Sequence, residues 1–278
     1  MNLKWLKKTC VAVFFLLHTL YLLGDVNGIQ SVQQDGCLTV ALSQEDWPPF
    51  FYVNKDGDLA GLDIDIARDL ADKLNLQVLF VRTVKTFDEI VYQVEHKQVD
   101  IAISYLSNTL DRGVHVRFSD PYVSLYQAAL VNRLLKVRSK LGDDIDDVLN
   151  FPGVKIGALD GAAAVSFAQA NYPNAEVVIY HSNESLITDV KSGKIFAMLS
   201  DEMDIKNLLN VYQDAAIDVE AVIMRDRPDT IAMAIPMENE DFQTWLNLYL
   251  KKIKEDGFLE HLVHHYIETD TWHSELNP

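Results

Sequence analysis

LTVALSQEDWPPFFYVNKDGDLAGLDIDIARDLADKLNLQVLFVR, residues 38–82, is the stretch on which the fold turns. Its first six residues, 38–43, are an apolar run of the length of a buried strand. Asp56-Gly57 is a turn signal of the hairpin type. From residue 62 the pattern changes: Ala67, Leu70, Ala71 and Leu74 recur at helical spacing. Asp63 and Asp65 suit the start of that helix, where carboxylates cap open amides and oppose the helix dipole. QVLFVR (77–82) reads as strand again. Working outward, FDEIVYQVEHK (87–97) reads as helix and VDIAIS (99–104) as strand. This βαβα order predicts a mainly parallel sheet with helices on both faces.

The order recurs. VKIGA (154–158), AEVVIY (175–180) and IFAMLS (195–200) read as strands. GAAAVSFAQAN (161–171), NESLITDVKSG (183–193) and DEMDIKNLL (201–209) read as helices. A late strand, DTIAMAIPM (229–237), precedes two helices that begin near Asn239 and Gly257. The chain therefore holds two α/β units in succession. Pattern alone leaves open which unit takes the late strand.

The 278 residues are 49% hydrophobic with a formal net charge of −17, a globular composition with material for one large or two small domains. So acidic a chain repels phosphate backbones, which excludes nucleic acid as a partner. Lys4, Lys7 and Lys8 precede the apolar run 11–23, and GDVNG (24–28) follows it. That is the layout of a secretory signal peptide, cut after Gly28. The run is shorter than the ~20 residues a spanning helix needs, and His18 interrupts it. Cys10 precedes the run, whereas a lipid-modified cysteine should follow it. Cleavage leaves Cys37 alone, so the exported chain is held by its core and not by a disulfide.

In SYLSNTLDRGVHVRFSDPY (104–122), Arg112 lies close to Ser104, Ser107 and Thr109, just beyond the predicted strand 99–104. Asp201 follows the predicted strand 195–200 in the same way. Open α/β sheets bind ligands beyond the carboxyl ends of their strands. The planar fork of arginine fits a carboxylate bidentately, and hydroxyls and loop amides add donors. Asp201 suits a cation, or the N-cap of the helix after it, or both. An anion site and an acidic side chain on successive units describe a receptor for a zwitterion. On the residues alone, a solvated helix start is the competing reading of Arg112. His261, His264 and His265 share a late helix, but HLVHH has no internal Glu and reads as a polar face and not as a metal site.

Four segments carry a resemblance. PPFFYVNKDGDLAGLDIDIARDLADKL (48–74), VDIAISYLSNTLDRGVHVRFSDPY (99–122), FPGVKIGALDGAAA (151–164) and KIFAMLSDEMD (194–204) occur in order over roughly residues 37–268. The sequence resembles the periplasmic amino-acid-binding proteins of ABC importers, the extracellular solute-binding proteins of family 3. It is more distantly similar to the ligand-binding core of ionotropic glutamate receptors. The resemblance implies two α/β lobes of the type II periplasmic binding fold, joined by two hinge crossovers at 126–132 and 230–235. Lobe 1 would take residues 29–130 and 232–278, lobe 2 residues 131–231, with the late strand returning to lobe 1. Ligand would lie in the cleft between lobes and favour a closed form.

By the same resemblance Arg112 clamps an α-carboxylate, Ser107 adds its hydroxyl and amide, and Asp201 takes the α-ammonium. Trp47 falls where the family places an aromatic that stacks on the ligand. Phe51 and Tyr52 line the wall or belong to the core. Tyr105 stands where the family has a small residue, so it narrows the pocket or caps the ligand. Ala162, Ala163 and Ala164 depart from the family's Gly, Ser or Thr, which leaves backbone amides as the donors at that turn. Glu45 and Asp46 either meet a basic side chain or form a solvated acidic loop. The implied protein is a periplasmic monomer that is not an enzyme, needs no cofactor, and delivers a polar amino acid or close relative to an ABC permease. Two alternatives sit on the same fold. One is a cyclohexadienyl dehydratase, which eliminates water and carbon dioxide from prephenate or arogenate, with Glu202 as candidate general acid. The other is an extracytoplasmic ligand-sensing domain.

Overall fold

A computed structural model describes residues 28–142, 144–269 and 272. The signal segment expected over residues 1–28, with Cys10, lies outside them apart from Gly28. No described helix is long and apolar enough to cross a membrane.

Helix α1 (Ile29–Asp35) leads into strand β1 (Cys37–Ser43), which is buried along its whole length. A short hairpin follows, β2 (Tyr52–Val53) and β3 (Leu59–Ala60), closed over Asp56-Gly57 by Asn54, whose side-chain oxygen accepts the amides of Asp56 and Asp58. Helix α2 (Leu62–Leu74) starts without a side-chain cap. Its first amides go to backbone instead, Leu62 N to Pro49 O at 3.0 Å and Asp63 N to Phe50 O at 2.9 Å. That close approach requires Gly61, whose φ is +124° and whose added Cβ would stand 2.3 Å from the Phe50 carbonyl oxygen. The predicted stripe of α2 is the buried one: Ala67, Leu70, Ala71 and Leu74 all face the core. Then come β4 (Gln77–Val84), α3 (Phe87–Glu95), β5 (Ile101–Ala102) and β6 (Val116–Phe118). The strand predicted over 99–104 is only two residues long, so the loop that carries Arg112 begins directly beyond Ala102.

Next in the chain are β7 (Val123–Asn132), α4 (Arg133–Ser139), α5 (Ile145–Leu149), β8 (Lys155–Leu159) and α6 (Ala163–Asn171). They are followed by β9 (Glu176–Tyr180), α7 (Asn183–Ser192), β10 (Ala197–Asp201), α8 (Glu202–Val211) and β11 (Val219–Ile231). Their sheet runs β11-β7-β10-β8-β9, with β8, β9 and β10 parallel and β7 antiparallel to both β10 and β11. Alternate residues leave opposite faces of a strand. On one face Ala129, Val131, Ala197 and Leu199 meet Val148 and Leu149 of α5 and Ala164 and Ala168 of α6. On the other Ala128, Leu130 and Met198 meet Leu186, Ile187 and Val190 of α7 and Ile205 and Leu208 of α8.

The chain closes with β12 (Ala234–Pro236), α9 (Glu240–Glu255) and α10 (Phe258–Val263). β12 inserts into the first sheet, whose order is β4-β1-β5-β12-β6, and runs antiparallel to both of its neighbours. The predicted late strand is thus two strands, the end of β11 in one sheet and β12 in the other. Between them Ala232 N donates to Leu106 O, and Met233 exchanges two bonds with Ser119.

The chain divides into two compact units. One holds residues up to Lys85, Glu89–Tyr122 and the chain from Ala232 onward; the other holds Thr86–Asp88 and Val123–Ile231. The second crossing falls between residues 231 and 232. The first falls at Tyr122/Val123, whereas the sequence reading set it at 130/131. Its position follows from the ladder, because β7 pairs with β11 from Val123, opposite Ile231, onward.

Candidate functional site

In the first unit the loop after β5 is organised by a buried carboxylate. Asp63, in the first turn of α2, is fully buried. It accepts the Tyr105 amide at 2.6 Å and the Tyr122 hydroxyl at 2.7 Å. Burial pushes its carboxyl up to about 7, against those two hydrogen bonds. Tyr122 is raised well above its ordinary range, by burial first and then by the charge of Asp63. Tyr105 takes φ +52°, a left-handed conformation that an aromatic residue adopts only where its surroundings impose it. Here the imposed contacts are the Asp63 bond and a stack on Phe50, with ring centroids 3.9 Å apart and planes 15° apart.

That anchoring presents the rest of the loop. The Ser104 hydroxyl is fully buried and has no hydrogen-bond partner among the described residues. Ser107 is buried, and its carbonyl accepts Arg112 Nη1 at 3.1 Å. Thr109 Oγ1 accepts the Arg112 amide at 3.3 Å, and Arg112 opens a short 3-10 turn, Arg112–Val114. Arg112 is 6% exposed. The loop therefore gathers a guanidinium and serine and threonine hydroxyls at one strand end, a chemistry for an oxyanion.

Other predicted residues of this unit fall around the loop. Trp47 is half-buried, 6.3 Å from the Tyr105 ring, and its amide donates to Phe51 O. Phe50, Phe51 and Tyr52 are wholly buried, and Tyr52 packs against Trp272 with centroids 5.7 Å apart. These three aromatics are packed as core. Asp46 is held within the protein by Arg82 at 2.7 Å and by the Val53 amide, while Glu45 is exposed.

In the second unit Asp201 ends β10 and caps α8, its Oδ1 accepting the amides of Met203 and Asp204 at 2.8 and 3.1 Å. Both roles weighed for it begin with this placement, since Asp201 is a cap and also an 8%-exposed carboxylate at a strand end. Asp204 lies behind it, with Oδ2 accepting the Ser200 hydroxyl at 2.7 Å. Burial, and then the charge of Asp201, push the Asp204 carboxyl up to about 7. Burial also raises Glu202, opposed by a bond from the Tyr126 backbone and by Arg225, which lies over the Tyr126 ring. Ala162 stands at the N-cap of α6 with no side-chain bond, and its amide donates to Leu159 O.

Of the late histidines, His264 bonds Glu268 and His265 packs on Tyr266. Among the described residues no His, Cys, Asp and Glu group has a metal-binding arrangement. Sequence reasoning missed Asp63 as the organiser of the Arg112 loop, because Asp63 carried the signal of an ordinary helix start.

Residues 38–269 match the family model of the bacterial extracellular solute-binding proteins, family 3. The cyclohexadienyl dehydratase of Pseudomonas aeruginosa is 24% identical over 93% of this chain and 92% of its own. The ABC transporter arginine-binding protein 1 of Escherichia coli is 24% identical over 76% of this chain and 83% of its own. Among solved structures, an ancestral amino acid-binding protein described as a precursor of cyclohexadienyl dehydratase is 29% identical. It covers 86% of this chain and 98% of that one, with a TM-score of 0.69.

Proposed function

Because the chain belongs to the bacterial extracellular solute-binding proteins of family 3, we propose that it binds a polar amino acid or close relative and hands it to an ABC permease. The observation that carries this reading is the buried Arg112 among the Ser104, Ser107 and Thr109 hydroxyls at the end of β5. A buried cation in so acidic a chain fits a ligand carboxylate. Asp201 of the second unit takes the ligand ammonium while it caps α8, and Trp47 and Tyr105 supply aromatic surface. Residues 1–28 direct export and are removed, and the protein acts in the periplasm as a monomer. A thermal-shift panel on residues 29–278, refolded to strip carried ligand, tests the reading. A ligand at about 1,000 times its Kd adds ~4 kcal/mol, a rise of roughly 8–16 °C in Tm for a chain of this size. Silence from every amino acid sinks it.

A second reading has an observation and a relative in its favour. The Glu202 carboxyl is raised by burial, as a general acid requires, and a dehydratase is among the relatives. In this reading the protein eliminates water and carbon dioxide from prephenate, giving phenylpyruvate. Incubation with prephenate, read by phenylpyruvate absorbance, decides it: turnover that Glu202→Gln abolishes supports an enzyme, and no turnover removes the reading.

A further inference from the structure

Within the second unit, Gln127 of β7 and Asp201 of β10 are direct cross-strand partners. Their side chains therefore leave the sheet on one face, with Cβ atoms about 5 Å apart. Lower on that face the paired residues Ala129, Leu199, Val131 and Ala197 belong to the apolar core, so this polar pair ends the stripe. Gln127 is 6% exposed, and its side-chain carbonyl oxygen accepts no hydrogen bond among the described residues. Buried acceptors are rarely left so, because leaving one unmade costs its full desolvation. The strand on the other side does not supply a donor in register: β11 loses its pairing with β7 between Ile223 and Pro228, opposite this point. The surroundings are acidic. Asp201 lies beside Gln127, Glu202 and Asp204 follow on α8, and Arg225 acts on Glu202.

A buried oxygen that lacks a donor, next to a carboxylate, calls for a group that brings both N–H bonds and positive charge. A hydroxyl brings one donor and no charge, and an anion is repelled. An ammonium brings three donors, enough for the carboxylate and for a second acceptor. We infer that the Gln127 side-chain carbonyl is that second acceptor beside Asp201, which makes the second unit selective for a protonated primary amine over its N,N-dimethylated form, whose single N–H cannot serve both acceptors. This rests on the binding reading above.

The test is titration calorimetry of the stripped full-length exported chain with the common amino acids and L-cystine. The α-N,N-dimethyl derivative of the tightest binder is titrated beside them. Gln127→Met keeps the length of the side chain and removes the acceptor. It is expected to weaken the tightest binder about tenfold or more and to narrow the preference over the N,N-dimethyl form. Gln127→Asn, which withdraws the carbonyl by one methylene, should do the same and stands in if Gln127→Met fails to fold. Unchanged affinity and unchanged discrimination in a folded variant overturn the inference and leave the binding reading intact. Failure of the wild-type protein to bind any of these ligands overturns both.

Discussion

Tyr105 adopts a backbone conformation unusual for an aromatic, and one buried carboxylate, Asp63, holds it there. Arg112, seven residues on, depends on the same loop. Arg112→Ala is expected to weaken amino-acid binding by about 100-fold or more, since two charge-assisted bonds at ~1.5–3 kcal/mol each would go. Calorimetry that finds unchanged affinity would move the carboxylate site elsewhere. Gly61→Ala forces a Cβ against the Phe50 carbonyl at a φ that side chains avoid, and should cost about 2 kcal/mol or more in urea unfolding. Arg112 and Ser107 were legible as neighbours because five residues in one loop bring them together. The Asp63–Tyr122 bond spans 59 residues, and no local pattern announces it. Phe50 to Tyr52 were open between wall and core because an aromatic run reads the same for both.

One strand-to-helix junction joins the capping of α8 to the proposed ammonium site, and substitutions at Asp201 can separate the two. Asparagine caps a helix about as well as aspartate but carries no charge. Asp201→Asn should therefore keep the ligand-free Tm and lose ligand affinity. Asp201→Ala should lose both, with about 1 kcal/mol of stability from the cap. Equal binding by wild type and Asp201→Asn, measured by calorimetry, would leave Asp201 as a cap only. Helices were legible from their stripes, as α2 shows at Ala67, Leu70, Ala71 and Leu74. The long strand β11 was not, because its middle carries Arg225, Asp226, Arg227 and Pro228, a poor strand signature. The register shift between Ile223 and Pro228 is what admits them, and only the partner strand reveals it.

Taken as a whole, the molecule holds two carboxyls, Asp63 and Asp204, near 7 and therefore well above the ordinary carboxylate range. Each binds its proton more tightly in the folded than in the unfolded chain. Their contribution to stability is complete in acid and is lost as pH rises from about 4 through 7, at up to ~1.4 kcal/mol per pH unit for each group. Asp189, Asp214, Glu238 and Glu255, lowered by their lysine partners, act in the opposite sense at the surface. The clean measurement is thus a difference: the stability of wild type minus that of Asp204→Asn, by urea unfolding, should fall between pH 4 and 7. A difference independent of pH would mean that Asp204 titrates normally. The position of β12 has a consequence of another kind. The first sheet seats β12, from the last fifth of the chain, between β5 and β6. A nascent chain that has not yet produced Ala234 has no strand to place there, so the first unit cannot finish its sheet however early its residues emerge. The second unit is continuous but for three residues and has no such wait. The sheet of the second unit can therefore be completed before that of the first, against the order of synthesis.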